Sequence, residues 1–210
     1  MIEIESFVLG PVETNAYLIA NQETREAAVV DPAWDGPFIV EAAEMKGWII
    51  TQIWLTHAHF DHIGGVADLL KFANPKPSLA LHPDDLPLYR LQGGAMFFGL
   101  HLEQGPDPTQ VLEHKQQLRL GEDVFEVRHT PGHTPGHVIF SCPAEKIAFC
   151  GDVIFQGSIG RTDLPGGSFP QLLRSIETQI LSLPDETRLF SGHGPVTTVG
   201  KERLTNPFLR

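Results

Sequence analysis

The run Thr56-His57-Ala58-His59-Phe60-Asp61-His62 dictates where this 210-residue chain must put a pocket. Four side chains able to bind a metal, His57, His59, Asp61 and His62, fall within six residues, directly after the apolar stretch Trp48 to Thr56. That stretch is apolar at nearly every position, as expected of a central strand buried on both faces. In a loop leaving such a strand His57 and His59 can point the same way. Asp61 and His62 can turn toward a neighbouring point as the chain bends into a helix. Imidazole and carboxylate donors together suit zinc, iron or manganese rather than calcium. The absence of cysteine among them argues against a purely structural zinc site.

The same arrangement recurs three times. His133 lies in Thr130-Pro131-Gly132-His133-Thr134-Pro135-Gly136-His137, directly after the strand-like DVFEVRHT. Asp152 ends KIAFCGD, and His193 ends TRLFSGH. Each sits where an apolar strand meets a glycine-containing turn, and glycine lets the backbone pass close to a ligand. Four such ends in one small protein point to strand termini converging on one site.

The remaining pattern supplies a frame for that site. IEIESFVLG, NAYLIAN and EAAVVDP alternate as a β-meander. Helices are expected over Gly36 to Lys46, ended by Gly47, and over Gly65 to Phe72, with a short one between Asp84 and Leu91. Ser168 is placed to cap a longer helix through FPQLLRSIETQILSL. Two runs of strands, each followed by helix, predict an α+β fold of two sheets face to face with helices outside. The length suits one domain over 1–210.

A net charge of -11 disfavours binding to nucleic acid. No apolar run approaches the ~20 residues of a membrane span. The first residues read as a strand rather than a signal peptide. Cys142 and Cys150 fall on two strands joined by the turn Pro143 to Lys146, not opposite each other, so no disulfide is expected. That suits a reducing cytoplasm. Nothing in the sequence indicates an oligomeric state.

With these motifs in place, the chain resembles the metallo-β-lactamase superfamily and, within it, the short single-domain bacterial hydroxyacylglutathione hydrolases (glyoxalase II type). T-H-A-H-F-D-H, T-P-G-H-T-P-G-H, the G-D at Asp152 and the G-H-G at His193 carry the resemblance. It implies a four-layer αβ/βα sandwich with two divalent metal ions, zinc by default and iron or manganese as alternatives. By the resemblance His57, His59 and His133 hold the first ion, Asp61, His62 and His193 the second, and Asp152 bridges them. Asp61 would also aim the hydroxide that such an ion pair draws from water near neutral pH. His137, the second histidine of its motif, is expected to orient its neighbours rather than to bind metal.

The resemblance makes the substrate a small thioester, S-lactoylglutathione or a related acyl-thiol. A thiolate of pKa about 8.5 leaves without prior protonation, which spares the site a general acid. Arg161, in Gly160-Arg161-Thr162-Asp163, would clamp a substrate carboxylate or else pair with Asp163. Longer relatives carry a helical extension with glutathione contacts, while this chain stops soon after His193. The identity of the thiol therefore stays open. Met96, Phe97 and Phe98 are candidates for the pocket mouth or for ordinary core. A persulfide dioxygenase using one iron on His57, His133 and Asp152 is the alternative of another class. Lactonases and β-lactamases share the metal core.

Overall fold

A computed structural model describes residues 1–210. The first sheet runs in the order β1 (Ile2–Leu9), β2 (Thr14–Asn21), β3 (Glu26–Val30), β4 (Ile49–Trp54), β5 (Ser78–Leu81), β6 (Gln110–Val111). Its first three strands are antiparallel and the rest parallel, with α1 (Gly36–Lys46) as the crossover from β3 to β4. Gly47 closes α1 in the left-handed conformation expected of a helix C-cap. After β4 come α2 (Phe60–Ile63) and α3 (Val66–Phe72), and after β5 comes α4 (Leu86–Arg90).

The second sheet begins with β7 (Gln117–Leu120), β8 (Asp123–His129), β9 (Val138–Cys142) and β10 (Ile147–Gly151), all antiparallel. A small hairpin, β11 (Ile154–Phe155) and β12 (Ser158–Ile159), and the helix α5 (Phe169–Ser175) follow. Then β13 (Arg188–Ser191) pairs parallel to β10, and β14 (Thr197–Thr198) and α6 (Val199–Thr205) complete the order.

Alternation along the strands separates three apolar layers. On β2, Ala16, Leu18 and Ala20 face the layer that holds α1 and α3. Tyr17 and Ile19 face the second sheet, where they meet Phe140 and Phe149. Leu172 and Ile176 cover the outer face of that second sheet. The order helix, sheet, sheet, helix is the expected αβ/βα sandwich. Trp54 sits fully buried between the sheets, 5.0 Å from Phe125 and 5.4 Å from Phe140 between ring centroids. Trp54→Ala should therefore cost about 3–5 kcal/mol, read as a lowered denaturant midpoint at unchanged slope.

The site follows from which strand ends share an edge. β4, β8, β10 and β13 end just before His57, the loop of His133, Asp152 and His193. Backbone bonds lock these ends together, two between the sheets, Asn15 N–H to Gly192 O (2.7 Å) and Val138 N–H to Thr56 O (2.8 Å), and one within the second sheet, Gly192 N–H to Gly151 O (2.7 Å).

Two details differ from the sequence reading. Ser168 stands at the start of α5 but its hydroxyl caps nothing; its N–H instead donates to Gly132 O at 2.8 Å, fastening the helix to the His133 loop. The helix is regular only to Ser175 and then widens into a π turn over Ile176–Ile180. Cys142 lies opposite Ile147, and both thiols are free and buried. No helix is long and apolar enough to cross a membrane.

Candidate metal centre

The four strand ends bring seven side chains to one pocket floor. Ligand atoms of His57, His59 and His133 lie within 4.8 Å of one another, and so do those of Asp61, His62 and His193. Asp152 stands between the groups. Its Oδ1 is 3.3 Å from His62 Nε2, and its Oδ2 is 3.5 Å from His133 Nε2 and 3.6 Å from His193 Nε2. All seven residues predicted from sequence are thus brought together.

Hydrogen bonds behind the imidazoles decide which nitrogen faces inward. Thr56 Oγ1 gives its proton to Asp31 Oδ2 (2.6 Å), so it accepts from His57 Nδ1 (3.0 Å) and leaves His57 Nε2 as a lone pair. His133 Nδ1 donates to the backbone oxygen of Arg161 (2.8 Å), leaving its Nε2 free. His62 Nδ1 faces Asp31 Oδ2 (2.9 Å), turning its Nε2 toward Asp61 and Asp152.

The result needs a cation. His57 Nε2 and His133 Nε2 are 3.2 Å apart, and His59 Nδ1 is 2.8 Å from His133 Nε2. The Nε2 lone pairs of His57 and His133 repel at that distance unless a proton or a metal ion lies between them, and His59 Nδ1 adds a third nitrogen to the same point. His62 Nε2 and Asp152 Oδ1 are buried without a hydrogen-bond partner, an arrangement that proteins rarely leave uncompensated. Nitrogen and carboxylate donors facing one another at this spacing fit divalent transition-metal ions.

The electrostatics of the first donor group agree. Burial drives the His57 imidazole well below its usual range and that of His59 down to about 3, so both stay neutral, the form that binds metal. Burial alone would lower His62 too, but Asp61, Asp152 and Asp31 overcome it and raise its pKa, so a metal ion at His62 Nε2 would take the place of a proton there. Burial opposes ionisation of Asp61 and Asp152, and His62 with its hydrogen bonds outweighs it, keeping both carboxyls below the ordinary range.

Several supporting residues carried no motif signal. Asp31, at the end of β3, takes the N–H and hydroxyl of Thr56 and faces His62. Thr14 Oγ1 donates to Asp61 Oδ2 at 2.8 Å. Asp85 gathers Ala58 N–H, Thr134 Oγ1 and Gly136 N–H, joining the two histidine loops. His137, set aside as an orienting residue, accepts the Asp152 N–H at 3.1 Å and stacks on His57. A clue for Asp31 was present: an acid closing the apolar run EAAVV. Asp31→Asn should weaken metal binding by about 10–100-fold, measured by competition with a chromophoric chelator.

Gly192 explains the glycine beside His193. A Cβ there would collide with Asp152 Oδ1 and His62 Cε1. Among the other histidines, His82 and His129 stack at 4.2 Å and 10°. Nearly parallel rings cannot both aim in-plane lone pairs at one ion, so their grouping with Asp84 is packing.

The floor opens into a cavity of about 520 Å³. Arg161 lines it, yet its Nε and one terminal nitrogen are each 2.8 Å from a carboxylate oxygen of Asp163. Phe97 and Phe98 line the mouth, while Met96 is exposed beside them rather than packed in the core.

The sequence matches the metallo-β-lactamase superfamily over residues 9–193. It is 35% identical over 209 residues to the hydroxyacylglutathione hydrolase GloC of Haemophilus influenzae, covering 99% of this chain and 98% of that protein. Among solved structures, the BLEG-1 B3 metallo-β-lactamase superposes with a TM-score of 0.92 at 38% identity, over 99% of each chain. TTHA1623 in a di-iron-bound form gives 0.89 at 43% identity, over 98% of this chain and 100% of that one. This chain belongs to the metallo-β-lactamase superfamily and is a metallo-hydrolase of that family.

Proposed function

We propose that the protein is a dinuclear thioester hydrolase of the hydroxyacylglutathione hydrolase type. His57, His59 and His133 would hold one divalent ion, Asp61, His62 and His193 the other, and Asp152 would be shared between them. When bound, such an ion pair supplies a hydroxide nucleophile near neutral pH and a Lewis acid for a carbonyl oxygen.

The chain's own residues do the rest. Asp61 Oδ2, steadied by Thr14 Oγ1, is placed to accept the proton of the attacking water and aim its oxygen. That oxygen joins the acyl carbon, the carbon–sulfur bond breaks, and the thiolate departs to be protonated by solvent. The observation that carries the choice of thioester is the cavity lining. Its titratable groups are His59, Asp61, His133, Asp152 and His193, all used as metal donors, together with Arg161. Apart from Asp61, which takes up the water proton, none is spare to protonate a leaving group, and a thiolate leaves without needing that proton returned.

The likeness to GloC supports this reading, and the likeness to BLEG-1 favours β-lactam hydrolysis as a second one. The second donor group, Asp61 with His62 and His193, weighs against a one-iron persulfide dioxygenase. The test is metal-loaded protein against acyl-thioesters, with a chromogenic thiol reagent as readout, beside a chromogenic cephalosporin and glutathione persulfide. Thiol release is expected. Full metal content with no thiol release, or oxygen uptake with the persulfide, would overturn the proposal.

A further inference from the structure

We infer that the acyl group this site accepts is uncharged and apolar, a medium-length aliphatic or an aryl chain rather than a small hydroxyacid. This rests on the thioesterase reading above and narrows its substrate.

Apolar side chains stand around the metal donors. Val12, Leu88, Leu91, Phe97, Phe98 and Leu164 form the cavity walls from four separate segments. Four of them are exposed to solvent: Val12 is 44% exposed, Leu91 61%, Phe97 77% and Phe98 50%. Large apolar side chains gathered at one opening, directly over reactive groups, gain by being covered. The Phe98 ring already packs on Phe60, 4.9 Å between centroids, which makes one wall an aromatic face held from beneath. The backbone supports that placement, since a Cβ on Gly93 would collide with the backbone of Phe60.

Charge points the same way. The only cation lining the cavity is Arg161, and Asp163 already takes it through two hydrogen bonds. Its backbone oxygen, meanwhile, orients His133. A ligand carboxylate would have to displace Asp163 to reach Arg161. An apolar chain displaces only water from the walls. Each methylene buried there should raise kcat/KM by about fourfold until the cavity is full.

The experiment uses metal-loaded protein and one neutral thiol carrying acyl groups of two, four, six and eight carbons and phenylacetyl, with S-lactoylglutathione beside them. The expected result is a stepwise rise in kcat/KM with chain length, and a six-carbon ester cleaved at least tenfold more efficiently than S-lactoylglutathione. Phe97→Ser, at a position 77% exposed, should flatten the chain-length series, read as a smaller rise in kcat/KM per added methylene. A flat series in the parent protein, or preference for S-lactoylglutathione, would overturn the inference while leaving the thioesterase reading intact. No cleavage of any thioester would instead remove that reading. If the apolar rim serves a second copy of the chain, the mass in solution will rise with concentration and Phe97→Ser will reverse it without any chain-length effect, which also overturns the inference.

Discussion

Asp152→Asn should lower kcat/KM by roughly 10³-fold or more, because it removes the one carboxylate that both donor groups share. Asp152 Oδ1 and Oδ2 approach His62, His133 and His193 at 3.3 to 3.6 Å, and its N–H is fixed by His137. The amide keeps the volume but supplies one neutral oxygen and one N–H₂ group, which repels a cation. The loss should fall mainly on turnover, and metal analysis should show fewer than two ions per chain. Circular dichroism should show an unchanged fold, since the residue's backbone bond to His137 survives the substitution. Full occupancy with near-normal turnover in Asp152→Asn would mean that the two donor groups work independently.

Metal removal should have the next largest consequence, this time on stability. With free metal at about 100 times each dissociation constant, binding stabilises the fold by about 2.7 kcal/mol per site, so two sites give about 5 kcal/mol. For a protein of this size each kcal/mol moves Tm by about 2–4 °C, so full chelation should lower Tm by about 10–20 °C. The structure says why: chelation leaves the His57, His59 and His133 nitrogens crowded together and His62 Nε2 and Asp152 Oδ1 buried without partners. Adding zinc, iron or manganese back should restore the transition, and scanning calorimetry would show which ion restores most. A Tm that ignores the chelator would mean that the seven residues do not hold metal tightly.

The donors could be read in the sequence because their motifs begin within a few residues of a strand end, where local pattern and function coincide. His57, His133, Asp152 and His193 all follow this rule. The residues that hold the donors in place obey no local rule. Asp31 acts through Thr56 and His62, 25 and 31 positions away, and Asp85 reaches Ala58 and Gly136 across 27 and 51. Such partnerships exist only once the two sheets have packed. Arg161 shows the same boundary. Its side chain was offered two partners by sequence, a substrate carboxylate or Asp163, and geometry supplies the second while giving its backbone oxygen to His133. The helix after Ser168 was overextended for a related reason: apolar spacing continues through Leu183, but hydrogen-bond spacing changes at Ile176. Periodicity alone does not register that change.

A pair of cations lying among donors from four strand ends is the feature on which the proposed chemistry depends. Anomalous diffraction from a crystal of the metal-loaded protein tests this directly. The expected result is two peaks, one bounded by His57, His59 and His133 and the other by Asp61, His62 and His193, with Asp152 touching both. A single peak, or ions bound away from these seven side chains, would contradict it.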